Sequence, residues 1–211
     1  SRKKSRDASG HDWNSIFECL HKIKEELKEY SPYKVVDVDT AEADDIIAVL
    51  AMRQSIQEKV MILSSDKDFA QLQKYPNVEQ FSPILKKFIK EPLPSVQLKQ
   101  MIIRGDKGDG IPNILSPDDI FMQEGVRQKR ISAERLAEFM EKGKEACQND
   151  TERRNWDRNE RLISFDFIPE DVSQPILEAY LNSKPVKDKM KIMTYLAKHR
   201  CKLLLEELED F

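Results

Sequence analysis

Cysteine is scarce in this chain. Cys19, Cys147 and Cys201 are its three copies in 211 residues, far apart, odd in number and in no CxxC spacing. That excludes a disulfide framework and gives no support to a zinc site, so each reads as a small apolar residue. Long hydrophobic runs are also missing: none approaches the roughly 18 residues that a membrane span needs. The opening SRKKSRDASG leads into no apolar signal core, so the expectation is a soluble, cytoplasmic protein without a membrane partner. No sign of charge dominates, since 35 Lys and Arg stand against 38 Asp and Glu for a formal net charge of -3. A uniformly basic nucleic-acid coat is thereby excluded, but local basic patches facing an acidic site are not. Histidine is rare too, and His11, His21 and His199 have no partner at a ligand spacing, which points to surface or helix-end roles.

What remains is an unusually ionic chain, 35% charged and 39% hydrophobic, whose apolar residues fall in periodic blocks that argue for folded rather than disordered structure. From Asp12 to Tyr30, Ile16, Phe17, Leu20, Ile23 and Leu27 recur at helical spacing. After Pro32, KVVDV reads as a short β-branched strand, with Asp39 placed to cap a helix running to about Ile56. KVMIL then reads as a second buried strand, so that the order strand, helix, strand makes a βαβ unit with a parallel sheet, and SSDKDFAQLQ begins a second short helix. Residues 78–89 fit a hairpin or two edge strands around Ser82-Pro83. Beyond Pro94 no strand is expected. QLKQMII is a helix stopping at Gly105, GDKGDGIPN is a loop, and helices follow at about 133–147, 150–163, 172–183 and 187–209. The expected fold is α/β, a parallel or mixed sheet with flanking helices, followed by a mostly helical C-terminal region. The expected division is 1–92 and 93–211.

Acidic residues collect at three places. Glu42, Asp44 and Asp45 open the helix after the first expected strand, Asp66 and Asp68 follow the second, and Asp106 and Asp109 lie in the glycine-containing loop. Metal-dependent phosphodiester chemistry needs such a collection, because hard divalent cations take oxygen ligands and two of them can clamp the attacking and leaving oxygens. In an open parallel sheet, ligands bind beyond the carboxyl ends of the strands, so the first two groups are expected on one rim. Each group also has a plain reading, as helix caps, dipole partners or turn residues. Helical geometry puts Glu42 and Asp45 on one face and Asp44 roughly on the other, which leaves the choice among them open.

AEADD, SSDKDFAQL and RGDKGDGIPN, in this order and spacing, resemble the carboxylate motifs of the 5′-nuclease superfamily of flap endonucleases and polymerase-associated 5′-3′ exonucleases. DKDFAQLQKYPNVEQFSP and LISFDFIPEDV resemble its phage RNase H branch, which places the protein in a bacterial host cytoplasm. The resemblance implies a two-metal nuclease that removes RNA primers and 5′ flaps during DNA replication, acting on DNA, RNA·DNA hybrids and 5′-end structures. It assigns Glu42, Asp44 and Asp66 to a first metal site, with Asp45 as a direct or outer member, and Asp68, Asp106 and Asp109 to a more open second one. Glu42, Asp44, Asp66 and Asp68 are the catalytic candidates. An all-oxygen donor set suits two Mg²⁺ or Mn²⁺ ions rather than zinc.

Two features depart from the family pattern. Members begin with a strand carrying a metal-binding Asp, and a later strand ends in another; neither segment is in this sequence. The expectation is therefore a chain beginning inside the basic arch, with Arg2, Lys3, Lys4 and Arg6 as phosphate contacts or as a frayed charged terminus, and with the activity of the chain alone in question. After Asp109, ILSPDDIFMQ replaces the family's glycine-rich helix-turn-helix. Duplex contacts then fall to Lys107, Arg127, Lys129 and Arg130, ahead of a helix starting at Ser132, unless this charged loop is merely solvated. The closing Asp-Phe resembles peptides that phage replication proteins insert into a sliding clamp, though a docked terminal helix explains LLLEELEDF as well. A clamp or a single-strand-binding protein are the candidate protein partners, and a monomer is expected. Two other readings compete: a PIN-like metal-dependent endoribonuclease, and a nucleic-acid-binding fragment without catalysis.

Overall fold

Turn chemistry and two small apolar cores, rather than a large sheet, organise this chain, whose computed structural model describes residues 10–210. Two compact units emerge, one of Thr40–Gln174 and one made by the stretches on either side of it.

In the flanking unit, helix α1 (Trp13–Tyr30) starts where Asp12 accepts a hydrogen bond from the Ser15 amide at 3.3 Å and stops at Ser31, ahead of Pro32. The expected strand at 34–38 is not formed. Lys24 and Lys28 instead hold Asp37 at 2.7 and 3.3 Å, the Val35 carbonyl accepts from the Ser183 hydroxyl, and the Lys34 ammonium reaches the Tyr180 carbonyl. β-branched residues thus give an extended segment with no ladder to join, because strand propensity needs a neighbouring strand to express it. The expected C-terminal helix is broken into α7 (Lys189–Lys198) and the five-residue α8 (Lys202–Glu206) by Arg200, whose φ of 57° is left-handed. In α8, Leu203 and Leu204 are exposed while Leu205 is partly buried. Phe211 lies outside the described residues.

The larger unit carries the sheet. Helix α2 (Ala43–Gln54) begins after Glu42 rather than Asp39, and the Glu42 amide donates to Asp45 Oδ2 at 3.0 Å. Strands β1 (Val60–Leu63) and β2 (Val78–Ser82) pair in parallel, Val60 opposite Val78 and Leu63 opposite Phe81. β3 (Lys87–Ile89) returns antiparallel to β2, giving a small mixed sheet of order β1-β2-β3. The crossover between the parallel strands is a 3-10 turn, Lys67–Lys74, not an α-helix. Period-two alternation buries Ile62 of β1 and Val78, Gln80 and Ser82 of β2, while Met61 and Leu63 face outward, so KVMIL is buried on one face only.

Ala48, Ala51, Ile62, Phe69, Leu72 and Val78 make one core. Ile102, Ile103, Ile114, Phe139, Cys147 and Trp156 make the other, on helices α3 (Pro94–Arg104), α4 (Ala133–Lys142) and α5 (Asp150–Ile163) and the loops between them. The buried amide of Gln71 ties the two together, donating to the Ile163 carbonyl and accepting from the Phe165 amide, each at 3.0 Å. Helix α6 (Glu170–Asn182) leads out of this unit. Among the described residues no helix is long and apolar enough to cross a membrane.

Candidate metal centre

The segment after β1 is shaped by buried polar groups rather than by apolar packing. Gln80, fully buried on β2, donates to the carbonyls of Ser64 and Asp66 at 2.9 and 2.6 Å. The hydroxyls of Ser65 and Ser82 share a 2.7 Å hydrogen bond. The chain is thereby turned so that Asp66 caps the 3-10 turn, its Oδ1 accepting from the Asp68 amide at 3.0 Å. Asp68 itself turns inward, and its Oδ1 is buried with no hydrogen-bond partner among the described residues.

Opposite it stands the loop after α3. Gly105 has φ 68° and ψ -177°, a region open in practice to glycine alone, and a Cβ there would collide with the Ile111 and Pro112 carbonyl oxygens. This close approach lets the Ile111 amide donate to the Asp106 carbonyl at 2.7 Å, while the Gly108 amide donates to Asp106 Oδ1 at 2.8 Å. From below, the Asn159 amide donates to the carbonyls of Ile102 and Pro112 at 2.7 and 2.8 Å, and that of Asn155 to those of Ile114 and Ser116. The loop is thus fixed at both ends by buried side chains of α5.

The outcome is a cluster in which Asp68, Asp106 and Asp109 each present a carboxylate oxygen within 4.8 Å of the others. Burial first, and then the charge of Asp66, push the Asp68 carboxyl up to about 6, with Asp106 and Asp109 adding to the effect. Asp44 is raised too, by burial first and then by Asp66, Glu42, Asp45 and Asp109, so Asp44 lies in the field of the other two groups. Asp106 goes the other way. The Lys67 ammonium lies 2.6 Å from its Oδ2 and holds its carboxyl below the ordinary range. Asp45 is partly engaged by the helix start, as its contact with the Glu42 amide shows.

These donors fit a hard divalent cation. All are oxygens, they are crowded at unfavourable like-charge distances, and the orphaned Oδ1 of Asp68 lacks the partner that a buried carboxylate oxygen needs.

The basic residues divide. Arg2, Lys3, Lys4 and Arg6 lie outside the described residues. Lys107, Arg127, Lys129 and Arg130 are exposed, and Lys129 and Arg130 line one groove with Arg104, Asn113, Ile131 and Leu136. Ser132 spends its hydroxyl on the Arg135 amide at 3.2 Å, capping α4.

Sequence reasoning overlooked Lys67, Gln80, Arg104 and Asn159. For Asn159 a signal existed: Asn155 and Asn159 share a helix face with Trp156 and Ile163, where apolar residues are the rule. Gln80 likewise alternates in register with Val78 and Ser82.

Comparison with known proteins covers the whole chain. The model of the 5′-3′ exonuclease N-terminal resolvase-like domain matches residues 2–100, and that of the T4 RNase H C-terminal region matches residues 93–211. The ribonuclease H of enterobacteria phage T4 is 37% identical over 219 residues, an alignment spanning 100% of this chain and 71% of the phage T4 protein.

Proposed function

From a chain that belongs to the phage RNase H family of 5′-3′ exonucleases, we propose a metal-dependent nuclease that degrades RNA in RNA·DNA hybrids and cuts 5′ flaps during phage DNA replication. The observation that carries this reading is the convergence of Asp68, Asp106 and Asp109 within 4.8 Å, with a buried Asp68 oxygen that has no hydrogen-bond partner among the described residues. Asp68, Asp106 and Asp109 hold one Mg²⁺ or Mn²⁺, while Glu42, Asp44 and Asp66 contribute to a second, with Asp45 steadying the helix start. When bound, such ions supply Lewis-acid stabilisation of the phosphate and a lowered pKa for the attacking water.

The chain's own residues do the rest. Gln80 and Asn159 hold the two acid-bearing segments in register. Residues 93–211 form the region that holds the duplex, with Arg104, Lys129 and Arg130 in one groove and Lys107 and Arg127 at its margins reading backbone charge rather than base sequence. Arg2, Lys3, Lys4 and Arg6 are proposed phosphate contacts at the scissile end.

The test is cleavage of a 5′-labelled RNA·DNA hybrid, a 5′ flap and a single-stranded RNA with and without Mg²⁺, by the chain and by D68N and D106N. Mg²⁺-dependent release of short 5′ products from the first two, lost in both variants, is expected. Preference for single-stranded RNA would indicate a PIN-like activity, and binding without cleavage a non-catalytic role.

A further inference from the structure

Lys67 lies between two of the acids, yet its side chain does not simply extend into solvent. It crosses to the loop after α3 and places Nζ 2.6 Å from Asp106 Oδ2, 39 residues away; the lysine side chain is 64% exposed and that of Asp106 11%. Asp106 Oδ1 accepts from the Gly108 amide at 2.8 Å, so Lys67 occupies the other oxygen of the same carboxylate. That carboxylate also belongs to the trio with Asp68 and Asp109. A cation reaching Asp106 Oδ2 therefore meets an ammonium on the same atom.

We propose that Lys67 is a tethered counter-cation of the Asp68, Asp106 and Asp109 site: it neutralises the cluster before metal arrives, is displaced when a divalent ion binds, and sets the metal concentration at which the site fills. The inference rests on the nuclease reading of these acids. Its physics is an exchange of charge. A single ammonium on a long, mostly solvated stem is a weak competitor, so displacement is feasible, but the like charges repel at ligand distances and each divalent ion must work against that repulsion. Once released, Lys67 is positioned beside the metal with its charge free for an anionic phosphate oxygen. Lys67 is thus a positioning residue for the metal, acting through Asp106.

Mn²⁺ binding to the protein without nucleic acid, read by the loss of the free-ion paramagnetic resonance signal, tests this in wild type, K67Q, K67R and D106N, with thermal melts in chelator for each. K67Q is expected to bind Mn²⁺ about three- to tenfold more tightly at low ionic strength, with the gain shrinking in salt, and K67R to resemble wild type. A purely structural ion pair predicts the opposite, because losing it would loosen Asp106 and weaken binding. Unchanged or weaker Mn²⁺ binding by K67Q, alongside weakened binding by D106N, would overturn the role of Lys67 and leave the metal centre standing. Absence of Mn²⁺ binding in wild type would overturn both. If K67Q melts lower in chelator yet binds more tightly, the proposal holds, since the ion then replaces the lost counter-charge.

Discussion

Replacing Asp68 by Asn should stabilise the metal-free protein while abolishing its proposed activity. The carboxyl of Asp68 is raised from 3.8 to about 6 by burial and then by Asp66. At 1.36 kcal/mol per pKa unit this corresponds to about 3 kcal/mol of opposition to the charged form, but the group is only half-buried, and screening by solvent reduces that to about 1–2 kcal/mol. The sign follows from proton binding. Below about pH 4 the carboxyl is protonated both folded and unfolded, and no difference arises. As the pH rises from about 4 to 6 the unfolded chain releases the proton that the folded chain retains, so folded stability falls through that window and stays reduced above it. An asparagine escapes this loss, and its amide finds acceptors in the neighbouring carboxylates.

In chelator at pH 7.5, D68N is therefore expected to melt about 2–8 °C above wild type, at roughly 2–4 °C per kcal/mol for a chain of this length. At pH 4 the two melts should coincide. Millimolar Mg²⁺ should reverse the order, because an ion that binds only the folded wild type stabilises it by about 2.7 kcal/mol at a hundredfold excess over its dissociation constant. The assay is a set of melts on both proteins at pH 4, 5, 6 and 7.5, in chelator and in Mg²⁺. A D68N melt no higher than wild type at pH 7.5 in chelator, or an advantage of the same size at pH 4, refutes the reasoning.

Gly105→Ala should destabilise by about 3 kcal/mol, since it adds a Cβ at a positive φ against the Ile111 and Pro112 carbonyls; a denaturant midpoint equal to wild type would contradict it. Neutralising Lys129 and Arg130 together should weaken duplex binding about equally for all sequences and reduce the salt slope by about one per charge, measured by fluorescence anisotropy over a salt series. A loss confined to one sequence would point to base contacts instead.

The parts of this molecule that were legible in its sequence are those in which local chemistry acts alone. Helix α1 reads from Asp12, the apolar period and Pro32, and the turn at Gly105 from the glycine that stops α3. KVVDV was not legible as a loop, because β-branching reports fitness for a sheet and says nothing about whether a neighbouring strand exists. The 3-10 form of Lys67–Lys74 was hidden for a related reason: beside the local Asp66 cap, what holds it is tertiary, through Gln80 and Gln71. At the acidic site, residue types and order were readable, but the long-range contacts that aim them were not. Asn159 makes the point quantitative. Its two donated hydrogen bonds fix the ends of the Asp106 and Asp109 loop, and Pro112 has a second donor in Arg158 at 3.0 Å whereas Ile102 has no other side-chain donor among the described contacts. Asn159→Leu keeps the volume and removes the donors, so it should cost about 2 kcal/mol, near the penalty for one buried unsatisfied carbonyl. Cleavage should fall far more than that stability loss implies, because the loop carries two of the three converging carboxylates and displacements of well under an ångström disturb in-line attack. Melting and Mg²⁺-dependent cleavage, the latter measured well below the variant's melting temperature, separate the two effects. A lowered melt with undiminished cleavage would make Asn159 a core residue and leave the aiming of Asp106 and Asp109 to the backbone of the loop itself.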